Sequence, residues 1–455
     1  MRFLPLIAIL PHVAPPIPAP PGDGLVLVGG HVFDTARGDF SPNTGIVVRG
    51  ARFFEVGADP SKQAGLDVVR LKDDDFVLPG IVDLHAHYNV RLFTRRRDET
   101  RVNPVVYLAS GVTTTFPAGE YDPKDMIDLR RRIDAGEQLG PRLLNSGPYY
   151  GSARKGWSHD ISDEDLVKDI DHWVEQGVQG FKAKGIRARQ LRVLIERAHH
   201  HGLTVTAHLD SGFKDSVNPK DAILMGIDRI EHFLGGETLP PTRPAYDSLA
   251  DLDPADPRID SIIRLFVEHR VTFDATLTAY GYFGRREEGY EHWVDEREFF
   301  TPHVREAALK RTRRVDEQFE KIQRVNRKLI RRFFDAGGTI SLGTDHFSSG
   351  EFLPGFSAHR ELEALVRAGI PPADAIRIAT RNGARAIGMG DRLGSIEPGK
   401  LADLFVVRGD PLRDIRATRT VHTVMKGGAL YDTRELLDSV KGKLGPGNDD
   451  EAKEW

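Results

Sequence analysis

Apolar residues recur along this chain in two rhythms, and the change between them divides it. Short β-like runs at Gly24–Gly30, Thr44–Val48, Phe53–Val56 and Val68–Leu71 follow one another with no helical stretch between them, which predicts a meander of strands. From Gly80 the strand-like runs alternate with helical ones. Ile81–Leu84, Val112–Phe116, Arg142–Asn145, Val178–Lys182, Thr204–Ala207, Asp228–Glu231, Val271–Ala275 and Thr339–Leu342 make eight such runs, which predicts a (β/α)8 TIM barrel. Arg189–His200 has apolar residues at helical spacing and stops at Gly202, while His303–Phe334 reads as one long basic amphipathic helix. Beyond Gly394 the strands Leu404–Val407 and Thr423–Met425 return without helices between them.

The expected class is therefore α/β. A barrel at 79–391 interrupts a small composite β-sandwich domain formed by 22–78 and 392–435, with a leader at 1–21 and a polar tail at 436–455, mobile from Gly442. Gly235–Thr272 exceeds a normal loop and predicts a lid or extra helices.

Composition narrows the picture. In 455 residues, 29% are charged and 40% apolar, as in a globular protein with a large core. The formal net charge is −4 with the two signs interspersed, so nothing points to nucleic acid or an anionic membrane. The runs Arg95–Arg97 and Arg130–Arg132 read as solvated helix or loop faces. Cysteine is absent, which excludes disulfides, thiolate metal sites and cysteine nucleophiles. In Met1–Pro21, Arg2 followed by Phe3–Leu10 has the form of a short signal peptide. Pro5 interrupts that run, however, and Ala19 is followed by proline, so periplasmic, secreted and cytoplasmic locations all stay open. No segment is long enough to span a membrane.

The chemistry begins at Val77–Tyr88. His85 and His87 end an apolar run two residues apart, on one face of a strand, where both imidazoles can reach one metal ion. In a parallel barrel the active site lies at the carboxyl ends of the strands. Lys182 ends the fourth strand, His208 the fifth, His232 the sixth and Asp345 the eighth. Singly, each has a plain structural reading: a satisfied core histidine, or a turn aspartate. As a set they form a donor constellation.

In this order and strand placement, His85-Ala-His87, Lys182, His208, His232 and Asp345 resemble the amidohydrolase superfamily, within it the binuclear amidase branch of prolidase and imidazolonepropionase. Gly111-Val-Thr-Thr-Thr and Leu393–Val407 are similar to further signatures of that family. The resemblance implies that His85, His87 and Asp345 bind one metal and His208 and His232 a second. Lys182 would bridge the two as a carbamate, with Lys184, on the same strand face, as the alternative. It also implies two divalent ions, zinc by preference, with Asp345 as the catalytic proton carrier. The substrate would be a dipeptide, an N-acyl amino acid or a cyclic amide, cut at an amide bond.

A mononuclear deaminase is the competing enzyme. Such relatives carry a Glu three residues after the fifth-strand histidine, where this chain has Ser211. Esterase, lactonase or phosphotriesterase chemistry would use the same centre, and a silent barrel serving as a scaffold would have lost ligands that this chain keeps. His346, Tyr149 and Tyr150 are candidate substrate contacts; His159, Arg154, Thr276 and Tyr280 are weaker ones. Asp210 reads as a turn cap and His199–His201 as a helix C-terminus. The long helix offers a surface for a homo-oligomer.

Overall fold

The computed structural model describes residues 24–92, 95–286, 290–309, 314–348 and 351–455; the leader at 1–21 lies outside them. Seven short strands open the chain: β1 (Leu25–Val28), β2 (His31–Asp34), β3 (Asp39–Pro42), β4 (Ile46–Arg49), β5 (Arg52–Val56), β6 (Asp67–Arg70) and β7 (Asp75–Pro79). They do not form the simple meander that their spacing predicts. β1 pairs antiparallel with β4 but parallel with β6, giving a sheet ordered β5-β4-β1-β6, while β2 pairs parallel with β7 in a second sheet. The chain crosses between sheets because apolar residues from both close on one core, Leu25, Leu27, Ile46 and Phe53 meeting Val77.

The next part is parallel. After β8 (Ile81–Ala86) comes an antiparallel pair, β9 (Asn89–Leu92) and β10 (Arg95–Asp98). β8 then pairs with β11 (Val112–Pro117), and β11 with β12 (Arg142–Leu143). Five more parallel strands follow in sheet order: β13 (Gly180–Lys184), β14 (Thr204–His208), β15 (Arg229–Glu231), β16 (Thr272–Asp274) and β17 (Ile340–Ser341). Helices separate most of them, as parallel connections require. Backbone bonds reach across both edges of the two sheets, from Leu84 N to the Leu342 carbonyl (2.9 Å) and from Gln179 N to the Asn145 carbonyl (2.8 Å). Within Gly235–Thr272, the helices Ala245–Ala250 and Arg258–Glu268 replace a structureless loop.

The last strands, β18 (Leu404–Arg408), β19 (Val421–Lys426) and β20 (Ala429–Asp432), join the N-terminal ones in a six-stranded sheet ordered β20-β19-β18-β7-β2-β3. β18 is two-faced. Leu404 and Val406 pack with the small β core, whereas Phe405 and Val407 pack with the large core around the parallel strands. The strand period of two allows one strand to serve two cores. Among the described residues, no helix is long and apolar enough to cross a membrane.

Three local expectations need correction. His303–Phe334 is not one helix but two, Pro302–Leu309 and Glu317–Asp335. The second begins where the Asp316 carboxylate accepts from Gln318 N (3.0 Å) and Phe319 N (3.4 Å), as an N-cap does. Arg95–Arg97 lies on strand β10 rather than on a helix or loop face, and the Arg96 guanidinium is held over the rings of Tyr121 and Phe347. The tail is tied down: Gly442 N donates to the Glu298 carbonyl (2.7 Å), Leu444 N to that of Phe299 (2.8 Å), and Leu444 is fully buried.

Because Phe405 packs β18 against the large core, Phe405→Ala should destabilise the protein by about 3–5 kcal/mol. Phe54→Ala, at a side chain 59% exposed, should stay within about 0.5 kcal/mol. Denaturant midpoints of the two variants measure the difference, and equal midpoints would refute the place of Phe405 in the large core.

Candidate metal centre

Strand parity brings the site together. On β13, Lys182 and Lys184 share a face, with Lys182 opposite Thr206 and Lys184 opposite His208 on β14. Thr206 in turn sits opposite Arg229, and Glu231 opposite Asp274. One row of side chains thus runs across four strands at the carboxyl end of the sheet, and β8 adds His85 beside it.

The tightest grouping is His85, His87 and Asp345. Asp345 Oδ1 lies 2.8 Å from His87 Nε2 and 3.3 Å from His85 Nε2. Donors about 2.0–2.1 Å from one zinc stand roughly 2.9–3.4 Å apart, so this triplet fits a single ion. Tyr107 fixes His87 from behind: its hydroxyl accepts from His87 N (3.0 Å) and donates to the His87 carbonyl (3.2 Å). A second grouping joins His85, Glu231 and His232. His232 Nδ1 bonds Thr276 Oγ1 (2.8 Å), and Tyr280 and Asn326 donate to the His232 carbonyl. Its buried Nε2 has no hydrogen-bond partner and lies 3.7 Å from Glu231 Oε2. An imidazole anchored through one nitrogen with the other left over is what a metal ligand requires. His208 stacks edge-on against His232 at 4.2 Å, its Nε2 3.4 Å from the Tyr246 hydroxyl.

Lys182 is buried, and its amine forms an ion pair with Glu231, which also accepts from Thr206 Oγ1 (2.8 Å). Asp274 lies 3.6 Å from His85 Nδ1, with neither of its oxygens hydrogen-bonded. Gly343 makes room for it, since a Cβ there would stand 2.2 Å from Asp274 Oδ1. Asp83 accepts from His85 N (3.0 Å) and from Thr344. Arg229 is buried below, stacked 4.6 Å from the Phe116 ring and without a hydrogen bond on its guanidinium.

Charges in so dry a place are shifted far. Burial holds His87 at about 4 and His232 at about 3, both neutral near pH 7 and fit to ligate. Burial works against a proton on His85 too, but the Glu231 carboxylate, with Asp345, prevails and lifts it to about 9. Burial raises Asp83 to about 7. Burial would raise Glu231 as well, yet His85 and Lys182 draw it down to about 2. In this structure a proton on His85 supplies the positive charge that clustered carboxylates demand, and a divalent cation answers the same demand.

Backbone strain marks the same spot. His232 (φ 72°), Thr276 (φ 48°) and Asp345 (φ 42°) follow β15, β16 and β17 in the left-handed region. Such residues cost of order 1–3 kcal/mol each and cluster at functional sites. Glu361 holds Thr276 in place by capping the helix after it, accepting from Leu277 N (2.9 Å) and Thr278 N (2.6 Å).

Not every candidate lies at the centre. Tyr150, expected as a substrate contact, points its ring among Phe181, Trp157 and Arg154, on the strand face opposite Lys182 and away from the donor cluster. Tyr149 does lie on the side of the cluster, edge-on to Tyr121 and against Gly119. His346 is buried edge-on against Tyr282 at 4.7 Å, not open to the mouth. Arg154 pairs with Asp169 and His159 faces Gln190, both away from the centre. Asp210 caps a turn, accepting from Ser211 N and Ala245 N. His199 pairs with Asp228 and His201 with Asp171 at a helix C-terminus. Glu231, Asp274, Asp83 and Tyr246 were missed from sequence. Alternation with Arg229 and Thr272 was the available signal for the first two.

Comparison with known proteins identifies the family. The profile of the amidohydrolase family matches residues 76–431. Over 127 residues the chain is 30% identical to 5-methylthioadenosine/S-adenosylhomocysteine deaminase of Syntrophobacter fumaroxidans, covering 24% of this chain and 29% of that protein. Over 108 residues it is 37% identical to imidazolonepropionase of Geobacillus kaustophilus, covering 22% and 24%. The chain thus spans under a third of the length of these curated relatives. A solved Xaa-Pro dipeptidase with methionine bound in its active site superposes with a TM-score of 0.67 at 22% identity, over 90% of this chain and 99% of that one. The chain belongs to the amidohydrolase family.

In metal-stripped protein, Glu231→Gln should leave the Lys182 ammonium buried without its partner and cost about 3–5 kcal/mol. Adding Lys182→Met should recover much of that loss. Chemical denaturation of the single and double variants gives the coupling, and additive losses would show that the pair is not a unit.

Proposed function

We propose, from membership of that family and from the convergence of His85, His87 and Asp345, that this protein is a metal-dependent hydrolase of carbon–nitrogen bonds. The substrate is the amide of a dipeptide, an N-acyl amino acid or a cyclic amide. In this reading the two parallel sheets are arcs of one closed (β/α)8 barrel, which the bonds across both edges support, and the N- and C-terminal strands form a composite β-sandwich domain against it. The centre then lies at the carboxyl ends of the barrel strands, where such enzymes work.

His85, His87 and Asp345 would hold one divalent ion, His208 and His232 a second, with Lys182 between them as a carbamate. Imidazole and carboxylate suit zinc. Such ions supply a Lewis acid and lower the pKa of water toward about 7. Asp345 would accept a proton from the attacking water and pass it to the leaving amine. Thr276 and Tyr280 keep His232 in its orientation, and Tyr107 keeps His87 in its own. Tyr246 packs edge-on against His208 and helps to fix its ring.

One observation favours a second reading with a single ion. The Lys182 amine is engaged by Glu231, and a carbamate would have to displace that carboxylate. A deaminase on one metal, the activity named for one curated relative, would fit such a centre. Ser211 speaks against it, since no carboxylate stands there to move protons.

Metal content separates the two. With bicarbonate present, the two-ion reading expects about two ions per chain, falling in Lys182→Ala. One ion in both proteins would replace the first reading by the second. Asp345→Asn should lower kcat on any amide substrate by roughly 10²–10⁴-fold, and an undiminished kcat would remove Asp345 from proton transfer.

A further inference from the structure

Buried parallel strands ordinarily carry apolar side chains on both faces, yet one face of β14–β17 is polar below the donor cluster. Thr206, Arg229 and Thr272 stand side by side at one level, and Glu231, Asp274 and Ser341 at the next, nearer the carboxyl end. Arg229 is fully buried, and among the described residues none of its three guanidinium nitrogens has a hydrogen bond. The Phe116 ring lies against it, 4.6 Å away. The acids whose charge bears on it are Asp274 first, then Glu231 and Asp228. Glu231 is taken by Lys182 and Thr206, and Asp228 by His199 and Val205 N. Asp274 is the one left over: both of its oxygens are buried without a hydrogen bond, as is the neighbouring Ser341 Oγ.

A sealed guanidinium with five donors and a sealed carboxylate with two acceptor oxygens each require partners. Ordered water supplies them in protein interiors, each molecule making about three hydrogen bonds to groups that protein atoms leave unmet. Asp274 also has a direction. Its Oδ2 lies 3.6 Å from His85 Nδ1, while Asp345 Oδ1 lies 3.3 Å from His85 Nε2, so the two carboxylates stand on opposite sides of one ring. Glu231 Oε1 is equally near Nδ1, at 3.6 Å, but is already occupied by Thr206. A metal-ligating imidazole commonly donates its other N–H to a carboxylate, which fixes its tautomer and the angle of its ring.

We propose that Asp274 is a positioning residue for His85, accepting from its Nδ1–H so that Nε2 faces the ion shared with His87 and Asp345. Arg229 in turn holds Asp274 through ordered water sealed beneath the centre. Neither side chain touches the ion or the substrate; both act through the ring of His85. The proposal rests on the metal-dependent reading of the site and deepens it. Its consequence for Arg229 runs against simple electrostatics. By charge alone, a buried cation opposes the binding of another and its removal tightens that binding; as the support of Asp274, its removal weakens it.

The test competes zinc between metal-stripped protein and a chromophoric chelator, with melting temperature as the check on folding. Asp274→Asn keeps the shape of the side chain without its charge and should weaken zinc binding by about 10–100-fold. Arg229→Met should weaken it by about tenfold, and Arg229→Lys should recover part of that loss. In the double variant Asp274→Asn, Arg229→Met the loss should be no greater than in Asp274→Asn alone, because Arg229 acts through Asp274. Unchanged affinity in Asp274→Asn overturns the proposal, as do tighter zinc in Arg229→Met and losses that multiply in the double variant. Should Arg229→Met not fold, Arg229→Gln replaces it in every comparison. If the parent takes up no zinc, the metal reading fails separately, and the imidazole resonances of stripped, histidine-labelled protein decide. A slowly exchanging Nδ1–H resonance, assigned by its loss in His85→Gln and absent from Asp274→Asn, sustains the contact; its absence from the parent overturns it.

Discussion

Carboxylates crowded into a space without water need positive charge, and that need organises the centre of this protein. Glu231, Asp274, Asp83 and Asp345 all surround His85 or its backbone, and all but Asp345 are wholly sealed. Buried charges of one sign are tolerable only when countered nearby. Lys182 answers Glu231 directly, and Arg229 lends its field from below without a hydrogen bond. The remainder falls on His85, whose proton survives far above its ordinary range. His87 and His232 stay neutral because burial outweighs the carboxylates near them. A site so arranged has one imidazole poised to exchange its proton for a metal ion and two already prepared to bind one.

Backbone strain is the second half of that arrangement. A strand can offer only alternate residues to one face, yet Glu231 and His232 are neighbours and both reach the cluster. The left-handed turn at His232 resolves the conflict by redirecting the chain just as the strand ends. Thr276 and Asp345 make the same move after the next two strands. Each conformation is held from outside: His232 by Tyr280 and Asn326, Thr276 by the Glu361 cap, Asp345 by its bond to the His85 carbonyl. Gly343 yields the space that Asp274 occupies. The strain is offset by packing that has no other evident purpose.

Much of this was legible in the residues alone. The His-Ala-His pair and the strand-end positions of Lys182, His208, His232 and Asp345 follow from periodicity, and the structure gathers them about one centre. Glu231 escaped because period-two reasoning assigns it the face opposite His232, and a positive φ is invisible in sequence. Tyr149 and Tyr150 were read together although alternation must part them; only Tyr149 faces the cluster. Arg96 is exposed, as a basic run suggests, but it stands on a strand and its guanidinium lies over the rings of Tyr121 and Phe347, which the run itself does not signal. The break at Asp316 had a visible signal, an aspartate directly before a glutamate at the start of an amphipathic run. It was overruled by the length of the apolar pattern. The parallel pairings of the N-terminal strands had no local signal, because partner choice there depends on which residues close the shared core.

The two lysines of β13 show how parity and depth assign different work to identical side chains. Both point to the same side of the strand, and composition cannot rank them. The separation of two residues moves Lys184 about 6–7 Å toward the mouth. At the lower level the amine meets Glu231 and is enclosed; at the upper level it borders a cavity that His208 and Asp210 also line. A lysine enclosed with a carboxylate belongs to the framework of the centre, whether as ammonium or, once modified, as a ligand. Enclosure with a carboxylate and access to a cavity are therefore separated within one short strand, Gly180–Lys184.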